Sequence, residues 1–413
     1  MQNDFLPIIL GSDENAYGTA RLFVEAYGIK PLLLCTRQLI PTLFSRLFRL
    51  EIIKDFDLDT VFPDALLAVL KREKANYGKL VVVPCSDYYT ALLSKHYDRF
   101  EGLIANRFIP ASLLDELDTK DKFYALCEKH GLDYPRTYVI TPDEREAAAD
   151  KMPFDFPIVV KPENSNAGEY LHCSFDGKKK VFFFSCKDEY LTVVRSMNKS
   201  DYKGKLIAQE FIPGGDDAMR VVNTYSGADG KVKAVCLGQP VLEEYAPKTL
   251  GNYAAIISRH DEAIMKKIAG FLEEIGYVGF GNFDMKYDCR TGKYMLFEIN
   301  PRLGRSSFFV HSAGFNMMRA LVDDVVYGKS DGCVYVKETA LWSNVPKIVL
   351  KKYVGDGALK AEIKKLIKEK KYERTLVCKG DMNLKRRYYI TRYYFGQYRN
   401  FKRYYFDKTS KDQ

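Results

Sequence analysis

The sequence predicts an α+β protein that opens on a parallel α/β unit, and three features carry that prediction. Short apolar runs alternate with helical stretches at the start: LPIIL at 6–10, a helix over 16–27, PLLLC at 31–35, a helix near 65–73 and KLVVVPC at 79–85. Beyond residue 118 the texture changes to a helix over 121–131, the segment YPRTYVI and a Pro-bracketed strand, FPIVVKP at 156–162. Finally, the stretch 279–302, GFGNFDMKYDCRTGKYMLFEINPR, alternates apolar and polar residues on either side of a turn and reads as an antiparallel hairpin.

Boundaries follow from the same texture: 1–118 as the α/β domain, 119–204 and 205–330 as two further units, and 331–413 as a basic, Tyr-rich end. An apolar fraction of 46% over 413 residues is enough for several cores. The nine cysteines stand singly, without a CxxC pair or a Cys/His cluster, and read as reduced thiols of a cytoplasmic protein. The amino terminus lacks a basic stretch and carries a five-residue apolar run, so neither a signal peptide nor a membrane span is expected there. Net charge is +9, yet the segment from Lys351 onward holds 19 Lys/Arg against 7 Asp/Glu. The basic character therefore belongs to the end of the chain, and nucleic acid is not an expected partner of the whole.

After the first strand comes GSDENAYG at 11–18, a strand-to-helix turn that either binds nothing or offers backbone amides to a small anion; its spacing is not GxGxxG. Asp87, just past the third strand, poses the same alternative. Lys161 emerges from a buried strand, a costly place for a charge unless an anion meets it. The loop ENSNAG at 163–168, with Ser165 and Gly168, could wrap phosphate oxygens before a strand expected over 170–174. The strand LIAQEFIPGG at 206–215 runs into a Pro-Gly break, where extended backbone can face an adenine edge.

The hairpin is the most informative stretch. A turn near Thr291 sets Asp284 opposite Glu298, with Asn300 and Arg302 on the same face as Glu298. Opposed carboxylates repel unless a cation lies between them, and an all-oxygen set suits Mg²⁺, whose remaining ligands come from water and phosphate. Arg302 adds a fork for phosphate or carboxylate.

In order along the chain, Asp121-Lys122, Lys161, the phosphate loop, QEFIPG at 209–214 and EINPR at 298–302 resemble the motifs of the ATP-grasp superfamily, which implies an ATP-grasp fold behind an N-terminal open parallel α/β domain. More closely, PIILG, DKFYALCE, GNYAAII and NPR are similar to segments of the bacterial D-aspartate ligases of peptidoglycan synthesis, over roughly the first 320 residues. The resemblance implies that Lys122, Lys161, Ser165 and Gly168 hold ATP phosphates, that backbone at Glu210, Phe211 and Ile212 receives adenine, and that Asp216 or Asp217 binds ribose. It implies two Mg²⁺ ions, with Mn²⁺ as an admissible substitute, on Asp284, Glu298 and Asn300, while Arg302 and Arg305 steady an acyl phosphate; Lys248 either closes over ATP or is a solvated loop lysine.

The expected partners are ATP, an amino-acid carboxylate donor and an amine acceptor, a peptidoglycan precursor. Within the same class the rival is a ligase for another amino acid or for free dipeptides. Outside it, the rival is a non-catalytic ATP-binding protein that works through its basic tail. In that tail Ile390, Tyr394, Tyr398, Phe401 and Tyr405 share one helical arc, with Arg392, Arg399 and Arg403 opposite. The aromatic arc docks on the protein core, or the helix contacts a membrane surface at its cytoplasmic face or an anionic precursor, or it binds RNA.

Overall fold

Six consecutive residues, Phe5–Leu10, are all buried, and a strand buried on both faces belongs inside a parallel sheet. This strand, β1, lies between β2 (Leu32–Cys35) and β4 (Lys79–Pro84), with β3 (Arg49–Ile52) at the edge beyond β2, and every pairing is parallel. Gly11, at φ 136°, turns the chain into the helix Glu14–Tyr27, which Asp13 caps by accepting from Ala16 N–H.

The computed structural model describes residues 4–163, 168–179, 181–247, 249–329, 332–355 and 357–405. These fall into two compact units, one of 1–119, 214–285 and 298–413, the other of 120–213 and 286–297.

In the second unit the helix Lys120–Lys129 precedes an antiparallel sheet of β5 (Thr137–Ile140), β6 (Ile158–Pro162), β7 (Phe182–Phe184) and β8 (Leu206–Glu210), in the order β5-β8-β6-β7. Its core gathers Ile158, Val160, Phe182, Phe184, Tyr190 and Ala208. The strand expected over 170–174 is instead a short helix, Gly168–His172. Tyr170 explains the error: its ring is buried against Phe175 and Tyr202, and its hydroxyl donates to the Lys179 carbonyl, so an apolar residue in a polar run is satisfied by one side of a helical turn.

The larger sheet runs β13-β12-β9-β10-β11-β15-β16, made of β9 (Met219–Ser226), β10 (Val232–Glu243), β11 (Tyr253–Arg259), β12 (Gly279–Asp288), β13 (Lys293–Asn300), β15 (Leu341–Ser343) and β16 (Tyr372–Glu373), with β14 (Val334–Tyr335) beside β10. β12 and β13 are the expected hairpin, closed by a 2.8 Å bond from Gly292 N–H to the Asp288 carbonyl. The N-terminal and larger sheets of the first unit share a core in which Ile9, Phe23 and Leu33 meet Val221, Ile256, Phe309 and Trp342.

The basic end forms the helix Leu384–Tyr404, and its aromatic arc docks as the first of the alternatives required: Ile390, Tyr394 and Phe401 are buried. Its anchor is Arg386, fully buried, whose Nε lies 3.1 Å from Asp381 and whose Nη1 donates to the carbonyls of Pro41 and Leu43. Asp381 accepts in addition from the Tyr17 hydroxyl, Ser45 Oγ and Arg46 N–H, while the guanidinium lies 4.1 Å from the Tyr17 ring centroid. The end of the chain is thus bolted to its beginning through one buried ion pair. Among the described residues no helix is long and apolar enough to cross a membrane.

Removing one member of a buried pair strands the other charge. Arg386→Ala is therefore expected to lower the unfolding free energy by about 3–5 kcal/mol in urea titration, against less than about 1 kcal/mol for Arg399→Ala on the exposed face of the same helix.

Candidate active site

Three of the sequence-predicted residues come together at the base of the hairpin in the first unit. Asn300 Nδ2 donates to Asp284 Oδ2 at 3.2 Å, and Asp284 Oδ1 accepts from the Tyr253 hydroxyl at 2.8 Å. Burial, then the adjacent Glu298 carboxylate, push Asp284 up to about 7, whereas the Tyr253 hydroxyl and Arg302 pull it down. Tyr253 in turn is held well above its ordinary value by burial and by Asp284. Two neighbouring carboxylates, each partly buried, favour a cation between them. Among the described residues no three His, Cys, Asp or Glu gather closely enough to hold a metal, so the donor set here is two carboxylates and one amide. That all-oxygen set fits a hard divalent cation that draws its other ligands from water and phosphate oxygens.

Arg302 extends from the same hairpin end. Its Nε and Nη2 lie 2.7 and 2.8 Å from the two carboxylate oxygens of Asp87, and Nη2 reaches Asn300 Oδ1 at 3.4 Å. Asp87 is thus the ion-pair partner of Arg302 in this structure. Arg305 pairs with the buried Glu244 at 2.5 Å. Asn15, on the first helix, donates to the Leu303 carbonyl at 2.7 Å and fixes the loop that carries both arginines. Asp13, the cap of that helix, is raised by burial and lowered by the Ala16 N–H and then by Arg305 and Arg302.

Asp216 spends Oδ2 on Glu243 N–H and the Tyr245 hydroxyl, both at 2.9 Å, which ties the turn before β9 to the end of β10. Asp217 contributes its carbonyl to Arg220 and Gln239, and its carboxylate is not part of that tie.

The second unit holds the remaining candidates. Lys161 sits half-buried in β6 opposite Ile207 of β8, and Lys122 is exposed on the helix Lys120–Lys129. Glu210 ends β8 with its carboxylate on Arg136 Nε at 3.0 Å, and the N–H groups of Glu210 and Phe211 bond the carbonyls of Arg136 and Pro157. Phe211 packs edge-on to Phe183, Ile212 is buried, and Gly168 opens the short helix after the phosphate loop. Ser165 and Lys248 lie outside the described residues.

Sequence reasoning missed Tyr253, Glu243, Glu244, Asp13 and Glu14 as site residues. Tyr253 stood inside a quoted motif, GNYAAII, but an alternating strand gives no sign of which hydroxyl reaches a carboxylate. Glu14 stood in GSDENAYG, where the glycines, not the acids, drew attention. A carboxylate in the first turn of a helix that starts inside a core was the available signal.

An open parallel domain, antiparallel sheets and a carboxylate pair beside Arg302 define a class, the ATP-grasp ligases, and comparison with known proteins agrees. The family model for the carbamoyl-phosphate synthase L chain ATP-binding domain matches residues 253–320, which include Tyr253, Asp284, Glu298, Asn300, Arg302 and Arg305. An L-amino acid ligase from Bacillus licheniformis superposes with a TM-score of 0.55 at 16% identity, over 83% of this chain and 80% of that one. The ADP complex of N5-carboxyaminoimidazole synthetase from Staphylococcus aureus gives a TM-score of 0.57 at 11% identity, over 83% and 82%. In sequence the chain is 38% identical over 411 residues to the D-aspartate ligase of Enterococcus faecium (strain Aus0004), covering 97% of each. The chain belongs to that D-aspartate ligase family of ATP-grasp enzymes. It is an ATP-dependent carboxylate–amine ligase that forms a C–N bond with release of ADP and, with its family, uses a divalent metal.

Glu298→Gln keeps size and shape but removes one of the two charges. Carboxylate-dependent ADP release is expected to fall roughly 100-fold or more while circular dichroism is unchanged; a coupled ADP assay checks it, and full activity would remove Glu298 from the metal set.

Proposed function

We propose that the enzyme joins D-aspartate to the lysine side-chain amine of a peptidoglycan precursor. The observation that carries this reading is the 38% identity to a D-aspartate ligase across 97% of both chains. Two Mg²⁺ ions, replaceable by Mn²⁺, are assigned to Asp284, Glu298 and Asn300, supported by the neighbouring carboxylates and the amide beside them. When bound, the ions neutralise the phosphoryl group during its transfer and polarise its oxygens.

The chain's own residues do the rest. Lys122 and Lys161, with Ser165 and Gly168, are assigned to the ATP phosphates. The Glu210 carbonyl and the Ile212 N–H, beside Phe211, are assigned to the adenine edge, and Asp217 to the ribose, since the Asp216 carboxylate already holds β10. A donor carboxylate oxygen attacks the γ-phosphorus and ADP leaves; the acceptor nitrogen then attacks the acyl carbon, phosphate leaves, and the nitrogen sheds a proton. Arg302 is assigned to the acyl phosphate and the oxyanion that follows it, exchanging the Asp87 carboxylate for a phosphate oxygen. In this scheme 1–118 seats the amino acid, 119–204 and 205–330 hold nucleotide and metal, and 331–413 completes the wall against the first helix.

We also assign the outward face of the C-terminal helix to peripheral contact with an anionic membrane on the cytoplasmic side. Lys385, Arg387, Arg392, Arg399, Lys402 and Arg403 are exposed there, with Leu384, Tyr388 and Phe395 among them, and 384–404 contains no acid.

Purified enzyme is expected to release ADP with D-aspartate and a lysine-containing precursor, and far less with L-aspartate; ADP release with L-amino acids alone would contradict the donor assignment. In sedimentation with phosphatidylglycerol vesicles, the wild type is expected to pellet and Arg392→Glu/Arg399→Glu to remain in the supernatant, with the same catalytic rate on soluble substrates.

A further inference from the structure

Where the first helix, the loop after β13 and the C-terminal helix meet, buried acceptors outnumber donors. Glu14 is 1% exposed; its Oε1 has no hydrogen-bond partner among the described residues, and Oε2 accepts a long 3.5 Å bond from the Tyr393 hydroxyl. Glu244, also 1% exposed, gives Oε1 to Arg305 Nη2 at 2.5 Å and leaves Oε2 in the same unpaired state. Asn344, fully buried, donates Nδ2 to the Tyr393 hydroxyl at 3.2 Å, and its Oδ1 is a third such acceptor. Gln397 Nε2 holds the same hydroxyl at 3.3 Å. Burial drives Glu14 up to about 8, with Glu244 and Asp13 adding to the negative charge, although Arg305 and a hydrogen bond from Thr375 pull it down.

A group that satisfies three converging acceptors and supplies the missing positive charge is compact and carries several N–H donors, which describes an ammonium. Arg305, a quarter exposed at its side chain, supplies the complementary cation at the rim. The pair Arg305–Glu244 thus has the form of a slot for a zwitterion: an incoming carboxylate takes the arginine fork and an incoming ammonium takes the glutamate.

We propose that Glu14, Glu244, Asn344 and Arg305, closed by Tyr393 of the C-terminal helix, bind the α-ammonium and α-carboxylate of the donor amino acid. The proposal rests on the ligase reading above. It assigns the ammonium to the donor and not to the acceptor because an amine must be neutral to attack, whereas buried carboxylates keep an amine protonated. Asn15, adjacent to Glu14, sets the geometry by tying the helix start to Leu303, two residues before Arg305. The C-terminal helix then has a role in substrate choice, with Tyr393 as a positioning residue.

The test is steady-state ADP release with D-aspartate and with its deaminated analogue succinate, with hydroxylamine as the only nucleophile. The wild type is expected to show a much lower KM for D-aspartate than for succinate. Glu14→Gln is expected to raise the D-aspartate KM about 30-fold and Tyr393→Phe about fivefold, with kcat and the KM values for succinate and ATP nearly unchanged. Equal wild-type KM values for the two donors overturn the proposal without any variant, as does a parallel rise for both donors, which marks a structural role. A rise in the KM of a lysine-containing acceptor in place of the donor KM overturns it as well. If another amino acid and not D-aspartate drives ADP release, the D-aspartate reading fails and the comparison of amino acid with deaminated analogue decides the subsite; if no carboxylate does, both fail.

Discussion

Two carboxylates shut into the base of one hairpin set the terms for the rest of the molecule. Asp284 and Glu298, both partly buried, repel each other, and burial together with that repulsion lifts Asp284 to about 7. The protein answers with donors, Tyr253 from β11 and Asn300 from β13, and with the positive charge of Arg302 close by. An oxygen donor set of this kind suits a hard divalent cation and the phosphate oxygens that accompany it.

A second constraint holds the substrate-facing elements of the first unit together. The Arg386–Asp381 pair ties the end of the chain to Tyr17 and the 41–46 turn, and Asn15 ties the first helix to the loop of Arg302 and Arg305. A buried pair of this kind contributes little net stability but imposes one arrangement, because every other leaves a charge without its partner. Here the arrangement brings Tyr393, Glu14 and Arg305 to one place.

Period-two alternation made the hairpin legible down to its turn, and a single helical projection separated the docked arc of the C-terminal helix from its exposed arginines. Both signals are local: the partners lie within one element or its neighbour. Tyr170 shows where local patterning stops, because an isolated aromatic in a polar run suits either a strand or a helical turn. Glu14, Glu244, Asn344 and Tyr393 come from four distant segments, and their convergence depends on how sheets and helices pack. The resemblance of the five motifs supplied the class of chemistry, while the electrostatic cost of Asp284 and the reserve of unpaired acceptors became visible only in three dimensions.

The account stands on phosphoryl transfer to a carboxylate before the amide bond forms. Oxygen isotope transfer measures this step directly. With the donor carboxylates labelled with ¹⁸O and a lysine-containing acceptor present, one labelled oxygen is predicted in each molecule of inorganic phosphate released, in step with ADP. Phosphate that carries no label during amide synthesis, or label recovered in AMP, would contradict it.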